Sequence, residues 1–69
     1  MTQTEQVQAH LERYGSITPL EAMEEYGIMR LGARIYDLKR AGVQIISETE
    51  TAPNRDGKGV SYARYRLDE

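Results

Sequence analysis

Apolar residues recur at helical spacing through the first 41 positions and at strand spacing after them. Val7, Leu11 and Tyr14 stand at i, i+4 and i+7, one face of a helix over about 4–14. Thr4 reads as its N-cap, without a capping box because Val7 and not an acid lies three positions on. Gly15 reads as its stop. Ser16-Ile17-Thr18 is an extended link in which β-branched Ile17 can pair as a short strand and fill the core. The second helix, over about 19–26, opens on a complete signal: Thr18 as N-cap, Pro19 at the first helical position and Glu21 at the third. Gly27 closes it. Leu20 and Met23 are expected to face inward with Ala22 beside them, and Glu21, Glu24 and Glu25 to face solvent. A third helix is predicted over about 29–41, with Leu31, Ile35 and Leu38 as the buried stripe, Ile28 plugging the turn and Gly42 as the stop. Its opposite face carries Met29, Arg30, Ala33, Tyr36, Asp37 and Arg40, with Arg34 on the flank. Gly32 costs that helix roughly 1 kcal/mol against alanine, which marks it as a place where another backbone, protein or nucleic acid, approaches closely.

After Gly42 the period shortens to two. Val43 to Thr49 is rich in β-branched residues and predicts a strand over about 43–49. Residues 60–67 predict a second strand, with Ala63, Tyr65 and Leu67 on one face and Tyr62, Arg64 and Arg66 on the other. Between them Thr51 to Gly59 contains Pro53, Asn54, Asp56, Gly57 and Gly59, a hairpin loop carrying Arg55 and Lys58 near its tip. The fold class expected is therefore α+β: one domain over 1–69, a winged helix-turn-helix of three helices followed by a C-terminal β-hairpin wing.

Four runs carry a family resemblance. Tyr14-Gly15-Ser16-Ile17-Thr18-Pro19-Leu20-Glu21-Ala22 is the first, and Gly27-Ile28-Met29-Arg30-Leu31 the second. Ala33-Arg34-Ile35-Tyr36-Asp37-Leu38 with Gly42 is the third, and Tyr62-Ala63-Arg64-Tyr65-Arg66-Leu67 closes the pattern. Together they resemble a family of small helix-turn-helix domains common in bacteriophages and prophages. Gly32 departs from it, since relatives would carry serine or alanine there. The resemblance implies a DNA-binding module of a phage or its host cell's cytoplasm.

Composition narrows the chemistry. The 69 residues include no cysteine and one histidine, which excludes disulfides and thiolate zinc sites and leaves no expected metal or cofactor. Ser16, Ser47 and Ser61 have no evident base partner, so no enzyme is expected. No apolar run is long enough for a membrane span and no leader pattern opens the chain, so a cytoplasmic protein is expected. His10, beside the Val7–Leu11 stripe, reads as a packing residue. The net charge is −2, but it is unevenly spread. Residues 1–29 carry one base against five acids. Residues 30–67 carry eight bases against four acids, enough for a local phosphate-binding patch.

Double-stranded DNA is accordingly the expected partner, with the third helix in the major groove and the hairpin on the backbone. The expected contact set is Met29, Arg30, Ala33, Arg34 and Asp37, with Arg55 and Lys58 on the hairpin. Arg30 suits guanine O6 and N7, Ala33 a thymine methyl, and Arg34 a phosphate. A plainer reading pairs Arg30 and Arg34 with Asp37 on a solvated helix, and treats the Tyr62, Arg64 and Arg66 face as a solvated strand. One module makes few contacts, so a homodimer or tandem sites is expected. The role implied is a phage transcription regulator or recombination accessory factor. The alternative on the same fold is a protein-binding module directed at a host protein, such as an enzyme inhibitor.

Overall fold

The computed structural model describes residues 1–68. Its first helix, α1 (Gln3–Tyr14), starts one residue earlier than expected and is capped by Thr2 instead of Thr4. The Thr2 hydroxyl accepts from the Glu5 N–H at 3.1 Å, and the Glu5 carboxylate accepts from the Thr2 N–H at 2.9 Å. The expected cap, Thr4, lies inside the first turn. The choice between the two threonines follows from what stands three residues on: Glu5 completes a reciprocal box for Thr2, whereas Val7 offers Thr4 nothing.

Gly15, at φ 87°, turns the chain into β1 (Ser16–Ile17). Thr18 then caps α2 (Pro19–Tyr26), with the predicted box in place at 3.2 and 2.8 Å and Pro19 at the first position. Gly27, at φ 69°, ends α2, and the Ile28 N–H returns to the Ala22 carbonyl at 3.1 Å. The inward face of α2 differs from expectation. Leu20 and Met23 are 59% and 46% exposed, while Thr18, Ala22 and Tyr26 turn inward. These three stand at i, i+4 and i+8, the stripe that an eight-residue helix capped by a buried threonine must present.

The next helix, α3 (Leu31–Arg40), buries Leu31, Ile35 and Leu38 as expected. Met29 and Arg30 precede it, with Arg30 as the N-cap residue. Strands β2 (Ile45–Pro53) and β3 (Gly59–Leu67) then form a hairpin in antiparallel register from Ile45↔Leu67 to Pro53↔Gly59. β2 starts two residues later and runs four further than predicted, so the loop shrinks to residues 54–58. Two local features explain the extension. Thr51 and Ser61 face each other with hydroxyls 3.4 Å apart, and the Asn54 carboxamide oxygen accepts from the Asp56 and Lys58 N–H groups at 2.9 and 3.0 Å. The side chain closes the turn in place of a longer loop. β1 pairs with the far side of β3, Ser16↔Arg66 and Ile17↔Tyr65, giving the sheet order β1-β3-β2.

One core joins helices and sheet: Val7, Leu11, Ile17, Ala22, Ile28, Leu31, Ile35, Leu38 and Ile45, with Tyr26, Val43, Tyr65 and Leu67 packed against it. His10 is buried at its edge, with Nδ1 2.7 Å from the Tyr26 hydroxyl, so its polar atom is satisfied within the fold. Tyr14 leaves the stripe for the rim, 62% exposed, with its ring 4.6 Å from that of His10. No helix among the described residues is long and apolar enough to cross a membrane.

Gly32 has no tight neighbour within the protein. A Cβ there would meet only the Tyr65 hydroxyl, at 4.0 Å, and the backbone is not in the left-handed region. Gly32→Ala is therefore expected to stabilise the fold by about 0.5–1 kcal/mol. A urea titration checks this: the midpoint should rise at unchanged slope, and a fall would mean that Gly32 is needed for the fold itself.

Candidate nucleic-acid interface

The three helices treat their N-termini differently. α1 and α2 each carry a full capping box and a glutamate in the first turn. α3 has no side-chain cap and no acid in its first turn. The Ala33 N–H bonds back to the Arg30 carbonyl at 3.1 Å, which leaves the N–H groups of Leu31 and Gly32 and the helix's partial positive charge without a capping side chain. Arg30 stands at that end, exposed and, among the described residues, in no ion pair. Met29, Arg30, Ala33 and Arg34 are brought together around one shallow depression, with Gln3 and Gly27 completing its edge.

Arg34 and Asp37 are not free on this surface. Arg34 Nε lies 3.3 Å from Asp37 Oδ2, and the Thr4 hydroxyl donates to the same carboxylate oxygen at 3.5 Å. The arginine Nε is buried, and the contact is an ion pair without hydrogen-bond alignment. The Thr4–Asp37 hydrogen bond ties α3 to the start of α1, and Arg34 meets the same carboxylate from within α3. The plainer reading of Arg34 and Asp37, an i,i+3 surface pair, describes their geometry; Arg30 takes no part in it. Thr4, misread as a cap, is the third member of this flank.

The sheet arginines are also engaged. Arg64 Nε donates to Glu50 Oε1 at 2.7 Å, and its Nη1 donates to Ser16 Oγ at 2.9 Å and lies 3.8 Å from Glu21 Oε1. Arg66 pairs with Glu48. Cross-strand pairs at diagonal positions account for both. The Arg64 hydrogen bond holds the Glu50 carboxyl below the usual carboxylate range, and the same contact raises Arg64. Among the described residues, the bases left outside ion pairs are Arg13, Arg30, Lys39, Arg40, Arg55 and Lys58. Five of these six lie on α3, at its cap or at the hairpin tip, so the free positive charge is concentrated where the two exposed elements are.

Two residues outside the expected set belong to this surface. Tyr36 and Arg40 follow Ala33 at i+3 and i+7 on the face opposite the buried stripe. Tyr36 is 60% exposed, with the Arg40 guanidinium 5.8 Å from its ring centre. Helical spacing puts both on the outward face, one and two turns past the helix N-terminus where the expected contacts lie. Arg55 and Lys58 sit at the exposed hairpin tip, apart from the depression at α3.

A family model described as a winged helix-turn-helix domain matches residues 2–69. Comparison with curated protein sequences gives no match.

The Glu50–Arg64 pair makes an acid-side prediction. A carboxyl lowered in the folded state adds stability that is fully present above its unfolded value, about 4.3, and is lost as pH falls through the folded value. Glu5 shifts the same way because it accepts the Thr2 backbone N–H. Stability measured by urea unfolding should therefore decline with acidification below about pH 5, and Glu50→Gln should flatten that decline. An unchanged pH profile in the variant would show that the pair contributes nothing to folding.

Proposed function

The chain belongs to the winged helix-turn-helix domain family, and from that premise we propose that it binds double-stranded DNA sequence-specifically. The observation that carries the reading is the contrast at the helix N-termini: α3 alone is uncapped, and Arg30 stands free beside it. A phosphate or a guanine edge supplies the acceptors that the fold omits.

In this reading α3 enters the major groove, with Arg30, Met29 and Ala33 at base edges and Tyr36 and Arg40 further along the same face. Arg30 makes the bidentate contact to guanine, and Ala33 meets a thymine methyl. Arg34, held by Asp37 within α3, reaches a phosphate only from the flank. Arg55 and Lys58 contact phosphates from the hairpin. The net charge of −2 makes long-range attraction weak, so recognition rests on these local contacts. The role proposed is that of a phage transcription regulator or recombination accessory factor, working in the cytoplasm of the host.

Binding-site selection followed by fluorescence anisotropy over a range of salt tests this. Arg30→Ala should cost about 1–3 kcal/mol and relax the preference at one base pair. Arg55→Ala with Lys58→Ala should weaken all sequences alike and reduce the salt slope by about 2. Absence of binding at low salt, or an unaffected Arg30→Ala variant, would refute the proposal.

A further inference from the structure

Helix α3 carries three bases, Arg34, Lys39 and Arg40, and a single acid, Asp37. Arg30, Arg34 and Asp37 stand at i, i+4 and i+7, so the acid shares a stripe with the two arginines of the depression. A carboxylate on a surface that meets phosphates repels them whatever the base sequence. This one is fixed in place. The Thr4 hydroxyl of α1 donates to Asp37 Oδ2 at 3.5 Å, and Arg34 Nε lies 3.3 Å from the same oxygen. The other oxygen, Oδ1, has no partner among the described residues. Stability gives little reason for the ion pair. The Arg34 and Asp37 side chains are 32 and 46% exposed, and the buried Nε has no aligned acceptor, so the contact adds little to folding. Its clearest consequence is electrostatic. Arg34 lines the depression with its charge already cancelled, whereas Arg30 keeps its own.

We propose that Asp37 determines specificity by repulsion: it withholds Arg34 from phosphates and so suppresses binding to unrelated duplex DNA. This role presupposes the DNA-binding reading above and deepens it. Specificity is a difference of affinities, and a repulsive element raises it when the wrong complexes lose more than the right one. Binding to unrelated sequences rests almost wholly on cations against phosphates, so cancelling Arg34 weakens it directly. At the selected site the carboxylate has a compensation. Its free Oδ1 accepts from a base amino group in the major groove, cytosine N4 or adenine N6, whereas guanine O6 and thymine O4 are acceptors and are rejected. Arg30 then supplies the attractive half of recognition and Asp37 the repulsive half.

Fluorescence anisotropy of the intact chain over a range of salt, on the selected duplex and on an unrelated one, tests the proposal. Asp37→Asn keeps the side-chain shape and an acceptor for Thr4 while removing the charge. It should tighten binding to the unrelated duplex roughly three- to tenfold and steepen its salt slope by about 1, because Arg34 then counts as a phosphate contact. The selected duplex should gain less, so the ratio of the two affinities falls. Arg34→Ala with Asp37→Asn leaves no net charge at the two positions, as the intact pair does. That double variant should return the unrelated duplex to the wild-type affinity and slope. If the wild-type chain binds DNA and Asp37→Asn brings no gain on the unrelated duplex, the proposal is overturned and the DNA-binding reading stands. The same holds if the gain survives in the double variant, or if the selected duplex gains as much as the unrelated one. If neither the wild type nor Asp37→Asn binds any duplex at low salt, both fall.

Discussion

Two residues, Ser16 and Ile17, hold the helical half of this protein to its hairpin. They are the whole of β1, and they pair with Arg66 and Tyr65 near the C-terminus. Ile17 is completely buried between the helices and the sheet, a burial worth about 1.5–3 kcal/mol. Without that pairing, the hairpin would keep its core contacts through Ile45, Tyr65 and Leu67 and the Arg64–Glu21 pair, and a two-stranded ribbon is marginal by itself. The direction of α2 depends on it as well, because Thr18 follows Ile17 directly and is both cap residue and core residue.

The placement of charge follows from this frame. Tertiary packing brings Arg64 to Glu50, Ser16 and Glu21, a seam between elements, whereas Arg34 pairs with Asp37 along α3 itself. The cations without such a seam are chiefly those of α3 and the hairpin tip, which project from the frame. An acidic chain thus keeps a basic working surface through the distribution of its ion pairs, whatever its total charge. An apolar groove lies beside that surface, between α2 and the hairpin.

Local chemistry made much of the fold legible in the sequence. Thr18, Pro19 and Glu21 specify the start of α2 within a single turn, and Leu31, Ile35 and Leu38 specify the buried face of α3. The misreadings came from tertiary partners. Leu20 and Met23 are apolar and lie on a helix, yet the hairpin stands away from them and leaves a groove, so hydrophobicity alone misplaces them. The end of β2 depends on the cross-strand neighbours of Thr51 and Ala52, ten and eight residues away by the register with Ser61 and Val60. For the candidate interface, the sequence pointed to α3 and to Arg55 and Lys58. The i,i+3 spacing of Arg34 and Asp37 made their pair legible as the plainer reading, whereas the Thr4 hydroxyl that meets Asp37 across 33 positions has no local signal.

In the proposed reading, the uncapped end and outward face of α3 form the surface that meets DNA. Backbone amide chemical-shift mapping with a duplex taken from site selection tests it most directly. The account predicts that shifts concentrate at residues 29–36 and 54–58, with the amides of Leu31 and Gly32 among the largest. Shifts confined to Leu20, Met23 and Val60, or absent from the start of α3, would contradict it.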